Sequence, residues 1–315
     1  MTTEGGQAVS PTGQDEAIEW PTFALLLLCY SLWALGTTLL YTLWAPLGFV
    51  VTFVMIALHS SLTHEMVHGH PFRNERLNEA VVFPCLGLFV PYRRFRDLHL
   101  AHHHDSRLTD PYDDPESNYL DPVVWARLPR WHQRLLEFNN TLAGRLVFGP
   151  ALGIYGLVRD DLGRIAQGDA GVRLAWLLQI PGVALVLAWV IWAPMPVWLY
   201  LVAAYAGWSL LKIRTFLEHR AHMRASGRTV IIEDKGPLAL LFLNNNYHVV
   251  HHMHPRVPWY DLPGIFRANR DLYLRRNGGY YYRSYAEIFR KHLLRAKDPV
   301  PHPLMGDGAG VPPGG

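Results

Sequence analysis

Two long stretches of the chain contain no charged side chain, and polar segments separate them. Neither residues 20–63 nor residues 174–211 contain Asp, Glu, Lys or Arg. A helix needs about 20 apolar residues to cross a bilayer, so each stretch is long enough for two crossings. Prolines near the middle of each stretch predict tight turns, at Pro46, Pro194 and Pro196. We therefore predict an all-α membrane protein whose four transmembrane helices form two hairpins, near residues 21–43, 46–63, 173–193 and 196–217.

The distribution of basic residues predicts the side of the membrane that each segment occupies. The turns inside the hairpins contain no Lys or Arg, whereas basic residues are frequent between Arg73 and Arg173 and again after Leu211. The positive-inside rule then places both termini and the central segment on the cytoplasmic side, at the inner membrane if the source is bacterial. Helices on that side are expected to form a cytoplasmic cap over the hairpins.

The remaining segments divide the chain further. The apolar runs at residues 80–91 and 146–158 are too short to span a bilayer and are predicted to be interfacial or re-entrant. Residues 1–19 form a polar N-terminal tail, and residues 20–298 form the membrane domain. Residues 299–315 are rich in Pro and Gly and are predicted to be a disordered tail.

Composition excludes several classes of protein. The net charge is only +3 and no basic run is present, so we expect no nucleic-acid partner. Charged residues make up 17% of the chain, a low share that favours a membrane protein. Cys29 and Cys85 form no C-x-x-C pair, so the sequence encodes no zinc ribbon, iron–sulfur site or disulfide framework.

The candidate chemistry lies in the histidines. Seventeen are present, and most of them fall into four clusters. Imidazole is the commonest metal-ligating side chain, whereas protonated histidines packed together would repel one another. The clustering therefore indicates more than one metal ion. The clusters are His64-Glu-Met-Val-His68, His99-Leu-Ala-His102-His103-His104, Glu218-His219-Arg-Ala-His222 and His248-Val-Val-His251-His252.

The spacing within the clusters lets one short segment contact two ions. His64 and His68 are four residues apart and lie one above the other on a helix face. In each H-x-x-H-H triplet we expect the first two histidines to share a face and the third to be rotated by about 100°. Nine candidate ligands are too many for one ion and suit two: His64, His68, His99, His102, His103, His219, His248, His251 and His252.

Other polar residues near the clusters could add ligands or orient them. Asn244 lies one helical turn before His248 and could supply an oxygen, directly or through water. His104 extends the second cluster, and His222 competes with His219. The acidic stretch at residues 110–116 is predicted to be a solvated loop, with a carboxylate that orients a metal-bound histidine as the alternative.

Two functions of other classes compete with a di-metal enzyme. His64-Glu65-Met66-Val67-His68 matches H-E-x-x-H, the zinc metalloprotease signature in which the glutamate is the general base. That interpretation leaves both triplets without a purpose. The second alternative is a non-catalytic metal carrier or sensor. Zinc, copper and iron all accept imidazole, so ligand type alone does not choose the metal. His59, inside the second predicted span, is expected to have a polar packing role or to contact a metal ligand from behind, rather than to bind a metal itself.

Two helical hairpins with three histidine boxes resemble the integral-membrane fatty acid desaturase and hydroxylase superfamily. The boxes are His64-x-x-x-His68, His99-x-x-His102-His103 and His248-x-x-His251-His252, and the runs at residues 243–252 and 258–262 are similar to bacterial members. The resemblance implies that the nine histidines hold two non-haem irons, which activate dioxygen for attack on an unactivated C–H bond. The implied activity is that of a fatty acid (acyl lipid) desaturase, with a lipid or carotenoid hydroxylase or ketolase as the alternative.

The resemblance also has a departure and an implied partner. Some members have Asn four residues before the single histidine near the fourth span, where this chain has Thr215. No cytochrome b5 segment and no flavin or nicotinamide fingerprint is present in the sequence. We therefore expect an external electron donor, a ferredoxin or similar carrier with its reductase.

Overall fold

The computed structural model describes residues 18–103 and 107–305, and in these ranges the chain is mostly helical. The helices are α1 (Trp20–Thr37), α2 (Leu39–Leu43), α3 (Ala45–Val67), α4 (Glu75–Val81), α5 (Tyr92–His102), α6 (Pro122–Arg127), α7 (Arg130–Asn139), α8 (Leu142–Ala166), α9 (Ala170–Trp192), α10 (Val197–Thr215), α11 (Pro237–Leu241), α12 (His248–Met253), α13 (Leu262–Ala268), α14 (Arg270–Arg276) and α15 (Tyr285–His292). A short 3-10 helix (Ala225–Gly227) and two short parallel strands, β1 (Ile231–Ile232) and β2 (Tyr281–Tyr282), are also present.

Three stretches are long and apolar enough to cross a membrane: Trp20–Leu43, which combines α1 and α2, then α3 and α9. They coincide with the first three predicted spans. The fourth predicted span, residues 196–217, is a helix (α10), but it is not among the helices that are long and apolar enough to cross a membrane. The bent pair α7 and α8, which meet at 114°, would be a fourth crossing if the pair forms one span. Residues 18–103 and 107–305 therefore contain three or four candidate spans, and the two-hairpin arrangement stays a prediction.

The candidate spans pack through a core centred on α3. This helix contacts α1 on one side and α10 on another. Buried side chains between them include Leu26, Trp33, Leu62 and Tyr200. Many other apolar side chains on the same helices point outward, and Ile191 is 73% exposed. An apolar outer surface of this kind is expected where lipid replaces water.

The segment at residues 82–91 is not helical but lies against the candidate spans. Its carbonyl oxygens accept hydrogen bonds from side chains of α10. Tyr200 Oη donates to Leu86 O at 2.8 Å, and Trp208 Nε1 donates to Gly87 O at 2.9 Å. Irregular backbone at membrane depth is tolerated only where protein satisfies its polar groups. These bonds fit the predicted re-entrant character of residues 80–91.

The C-terminal part of the chain holds the polar end of the molecule together. β1 pairs with β2, and Ile232 N donates to Asn246 O at 2.9 Å, which fixes the segment before α12. Residues 300–302, which belong to the predicted disordered tail, pack against the rest of the chain. Val300 and His302 are buried, and His302 N donates to Leu120 O at 2.8 Å. Residues 306–315 lie outside the described part of the chain.

Candidate metal centre

Two groups of imidazoles meet where α3, α5 and α12 approach one another. In each group the ligating atoms all lie within 4.8 Å of one another. The first group is His64, His68, His99 and His251, and the second is His102, His219, His248 and His252. All eight were predicted as ligands from the sequence. A geometry of this kind can hold two metal ions.

Helix ends position both groups. His68 is the C-cap of α3 and is followed by Gly69, whose φ of +92° terminates the helix. His99 lies in the last turn of α5, and His103 is the C-cap of that helix. The C-terminal ends of α3 and α5 therefore face the histidine groups. Helix C-termini carry partial negative charge, which favours a cation in this position.

The ring nitrogens have the separations expected of ligands to a shared ion. Two nitrogens bound at right angles, each at about 2.1 Å from an ion, are about 3.0 Å apart. His64 Nε2 is also buried without a hydrogen-bond partner in the part of the chain that is described, which is costly unless an ion is bound. The close Nε2 pairs are His68–His99 at 3.0 Å, His99–His103 at 3.0 Å, His103–His251 at 3.2 Å, His102–His219 at 2.8 Å and His219–His248 at 3.1 Å.

The division of each triplet differs from the one expected from the sequence. The first two histidines of a triplet do not share a group. His99 belongs to the first group, His102 to the second, and His103 contacts the first through His99. His248 and His252 likewise share the second group. Residues four apart are stacked on a helix face more closely than residues three apart, so the first and third histidines of each triplet act together.

Polar partners on the outer side of the rings orient several imidazoles. The carboxylate of Asp114 lies 2.8 Å from His102 Nδ1, and that of Glu116 lies 3.3 Å from His99 Nδ1. With Nδ1 donating to a carboxylate, the Nε2 lone pair of each ring is free for a metal. The acidic stretch at residues 110–116 therefore has the orienting role that was the alternative to a solvated loop. Its acidic composition was the only sequence signal for it.

In the third histidine box, a side-chain amide takes the place of these carboxylates beside Nδ1. Asn245 Oδ1 lies 2.8 Å from His248 Nδ1. Asn244, the predicted candidate, instead donates from its side chain to Trp259 O at 3.1 Å. The prediction assumed a helix through this turn, whereas α12 begins at His248 and Asn244 has a φ of +54°. The orienting role of Asn245 therefore went undetected.

His219 is the one ligand of the second group that lies outside a helix. It forms an isolated antiparallel bridge with Thr229, and Lys297 Nζ donates to its carbonyl oxygen at 2.8 Å. His222, the competing candidate, instead contacts the backbone of Arg224 through Nδ1 and joins neither group. His104, the other additional candidate, lies outside the described residues.

Burial keeps most of the imidazoles neutral. It is the main cause that lowers the pKa of His219 and His251 well below 6.5, and neighbouring imidazoles lower it further. A neutral ring retains the lone pair that a metal requires. Burial also favours the neutral form of His102, but the carboxylates of Glu116 and Asp114 outweigh it and raise its pKa to about 9. Carboxylates of this kind increase the basicity of a metal ligand.

The surroundings of Glu65 argue against a metalloprotease. Its Oε1 lies 3.3 Å from His64 Nδ1, on the side of the ring that faces away from the ion position. Its Oε2 accepts from Trp259 N at 3.3 Å. A general base must reach a metal-bound water, whereas this carboxylate lies behind a ligand. His64 and His68 are also joined by His99 and His251 rather than by a single third ligand.

A largely apolar cavity lies beside α3. Its volume is about 700 Å³ when the space open at its mouth is counted, and residues of α4, α5, α9, α10 and the segment 82–91 form its other walls. Ile56, Leu178 and Trp208 are among its apolar lining residues. Phe95 in its wall stacks on His99, with ring centroids 5.5 Å apart. An apolar chain in this cavity would therefore approach the imidazoles.

The paired imidazole groups could hold metal ions, and the helices that lead to them are long and apolar enough for an integral membrane protein. The chain belongs to the fatty acid desaturase family, whose model matches residues 39–285. It is 25% identical over 215 residues to a beta-carotene ketolase of Paracoccus sp. (strain N81106 / MBIC 01143), covering 67% of this chain and 72% of the relative. It is 24% identical over 273 residues to a beta-carotene ketolase of Paracoccus sp. (strain PC1), covering 82% and 96%.

Proposed function

We propose that this protein is a membrane-bound di-iron enzyme that uses dioxygen and external electrons to insert a double bond into the acyl chain of a lipid. The observation that carries the proposal is the apolar cavity whose wall contacts the first of two histidine groups. A carrier or sensor of metal ions has no need of such a cavity. A lipid-oxidising enzyme needs one, because its substrate has to leave the bilayer and meet the metals without water.

The residues of the site fit two irons. His64, His68, His99, His103 and His251 would hold one ion, and His102, His219, His248 and His252 the other. Iron bound in this way supplies activation of dioxygen for attack on an unactivated C–H bond. The chain itself supplies the neutral imidazoles, the carboxylates that fix their orientation, and the walls that align a methylene group and exclude water.

The electrons are expected to come from a separate protein. Desaturation of one C–C bond with reduction of dioxygen to two waters takes two electrons from the substrate and two from a donor. A ferredoxin or a similar one-electron carrier, renewed by its reductase, would supply the latter. We place the histidine groups and both termini on the cytoplasmic side by the positive-inside rule, where such a carrier would be found.

A second candidate is carotenoid ketolation, and the two relatives favour it. Both are named beta-carotene ketolase, and one alignment covers 96% of the relative. The same ligand set serves either outcome, because the reactions share attack on a C–H bond. They differ in whether a second hydrogen is removed from the neighbouring carbon, or oxygen is transferred to the carbon attacked. A ketone requires a second oxygen transfer to that same carbon, followed by loss of water.

Expression in a bacterial host that lacks such enzymes distinguishes the candidates. One strain is supplied with a ferredoxin and its reductase, and a second strain also produces β-carotene. Mass spectrometry of the lipids is expected to show acyl chains lighter by two hydrogens. Oxygen-containing carotenoids with unchanged acyl chains would assign the protein as a ketolase instead. His251→Ala is expected to abolish the product, and His222→Ala, outside both groups, is the matched control.

A further inference from the structure

An imidazole that the metal centre does not use lies inside a candidate membrane span. His59 is on α3, is only 5% exposed and lines the apolar cavity. Ionisable side chains within a span are costly and usually mark a functional site. Its position is five residues before His64, which corresponds to about 7.5 Å along the helix axis.

The hydrogen bonds of His59 define which of its nitrogens carries the proton. Its Nε2 lies 3.0 Å from Tyr30 Oη, and Tyr30 Oη donates its single proton to Val81 O at 2.8 Å. The tyrosine must therefore accept from Nε2–H. In the neutral ring, Nδ1 then carries a lone pair. Nδ1 has no hydrogen-bond partner among residues 18–103 and 107–305. It is also not fully buried, so a ligand in the cavity could reach it.

The next residue adds a second hydrogen-bonding group to the cavity. Ser60 lines the same cavity, and its hydroxyl has no partner within the described ranges. The neighbouring hydroxyls are different, because Ser61 Oγ donates to Ala57 O at 3.3 Å and Thr63 Oγ1 donates to His59 O at 2.8 Å. The cavity thus contains one free acceptor and one free hydroxyl on adjacent residues. Other polar groups in its lining have partners of their own: Arg93 pairs with Glu79 at 2.6 Å, and Gln179 Nε2 donates to Leu88 O at 2.8 Å.

We propose that His59 and Ser60 form a subsite that recognises a hydroxyl group on the lipid substrate. A hydroxyl is the smallest group that both donates and accepts, so it can donate to His59 Nδ1 and accept from Ser60 Oγ. The subsite would select apolar substrates that carry a hydroxyl at a fixed distance from the carbon that is oxidised. The inference rests on the proposed function for the identity of the cavity as the substrate site.

Ligand binding without turnover tests the subsite. The full-length protein in nanodiscs, without an electron donor, is titrated with methyl stearate and with methyl hydroxystearates that carry one hydroxyl at successive positions. One positional isomer is expected to bind about tenfold more tightly than methyl stearate, as two net hydrogen bonds predict. His59→Phe and Ser60→Ala are each expected to reduce that preference to threefold or less. Ser61→Ala, whose hydroxyl is bonded within α3, is the matched control and should retain it.

Two results would overturn the subsite. One is equal affinity of the unmutated protein for methyl stearate and all of its hydroxylated isomers. The other is a preference that survives in Ser60→Ala, a variant at a partly exposed position that is expected to fold normally. The binding assay is independent of catalysis. A protein that shows the preference but gives no oxidised lipid in the expression test keeps the subsite and loses the proposed function.

Discussion

At the scale of single residues, the site depends on which ring belongs to which group. His99 and His103 lie on one side of α5 and His102 on another, so a five-residue segment contacts both groups. The triplet in α12 does the same, with His251 in the first group and His248 and His252 in the second. Each ion position is therefore built from several segments, and the loss of one ligand should affect one ion more than the other.

The first prediction concerns this division. His64→Ala removes a ligand of the first group only, and His248→Ala removes a ligand of the second group only. Each variant is expected to retain about one metal ion per chain, and the double variant close to none. Elemental analysis of purified protein provides the measurement, with His222→Ala as the control. Loss of both ions from either single variant would show that the two groups do not bind independently.

The second prediction concerns the carboxylate behind His102. Asp114→Asn removes the charge next to Nδ1 while retaining the shape of the side chain. Replacing an outer partner of this kind weakens metal binding by about 10- to 100-fold. Titration with a chelator should release one ion more readily and leave the other unchanged. Asp113→Asn is the matched control, because Asp113 is exposed and its side chain contacts neither group. Equal release from both variants would contradict the role of Asp114.

At the scale of helices, close packing between the candidate spans depends on small residues. A Cβ on Gly48 would lie 2.5 Å from Tyr41 Cα and 2.7 Å from the carbonyl oxygen of Gly36. Only glycine allows the backbones of α1, α2 and α3 to approach so closely. Since α3 also presents His64 and His68, this contact links the packing of the spans to the position of the metal centre.

The third prediction tests that contact. Gly48→Ala is expected to lower the free energy of unfolding by about 1–3 kcal/mol, because the backbone atoms it meets cannot move aside easily. Gly156→Ala is the control on α8, where an added Cβ meets nothing within 4 Å. There the better helix propensity of alanine should be neutral or stabilise by up to about 1 kcal/mol. Thermal unfolding in one detergent compares the two, and equal melting temperatures would contradict the proposed close approach.

Some of these helices and contacts were predictable from the sequence, and others were not. Spans such as α3 and α9 were predictable, because freedom from charge over twenty residues is a local property. The histidines that form the two groups were also predictable, because the spacing within each histidine box is a local property of the sequence. Asn245 was missed because positive φ values at Leu243 and Asn244 interrupt the helical spacing that the prediction assumed. The packing of residues 300–302 depends on a contact with Leu120, far away in the chain, which no local pattern records.

At the scale of the whole molecule, the apolar and polar parts meet at one place. The candidate spans provide the lipid-facing surface and the cavity, and the segments after α10 provide His219 and the third box. The chain around residues 293–305 closes the polar side, where Lys297 contacts the carbonyl oxygen of His219. This arrangement would bring an apolar chain close to the two histidine groups, as the proposed oxidation of a lipid requires.

The central claim is that the two histidine groups hold iron. The most direct measurement is the metal content of the full-length protein, purified without added metal and analysed by inductively coupled plasma mass spectrometry. We expect close to two iron atoms per chain, matching the two groups of imidazoles. One zinc per chain, or protein that catalyses lipid oxidation without bound iron, would contradict it.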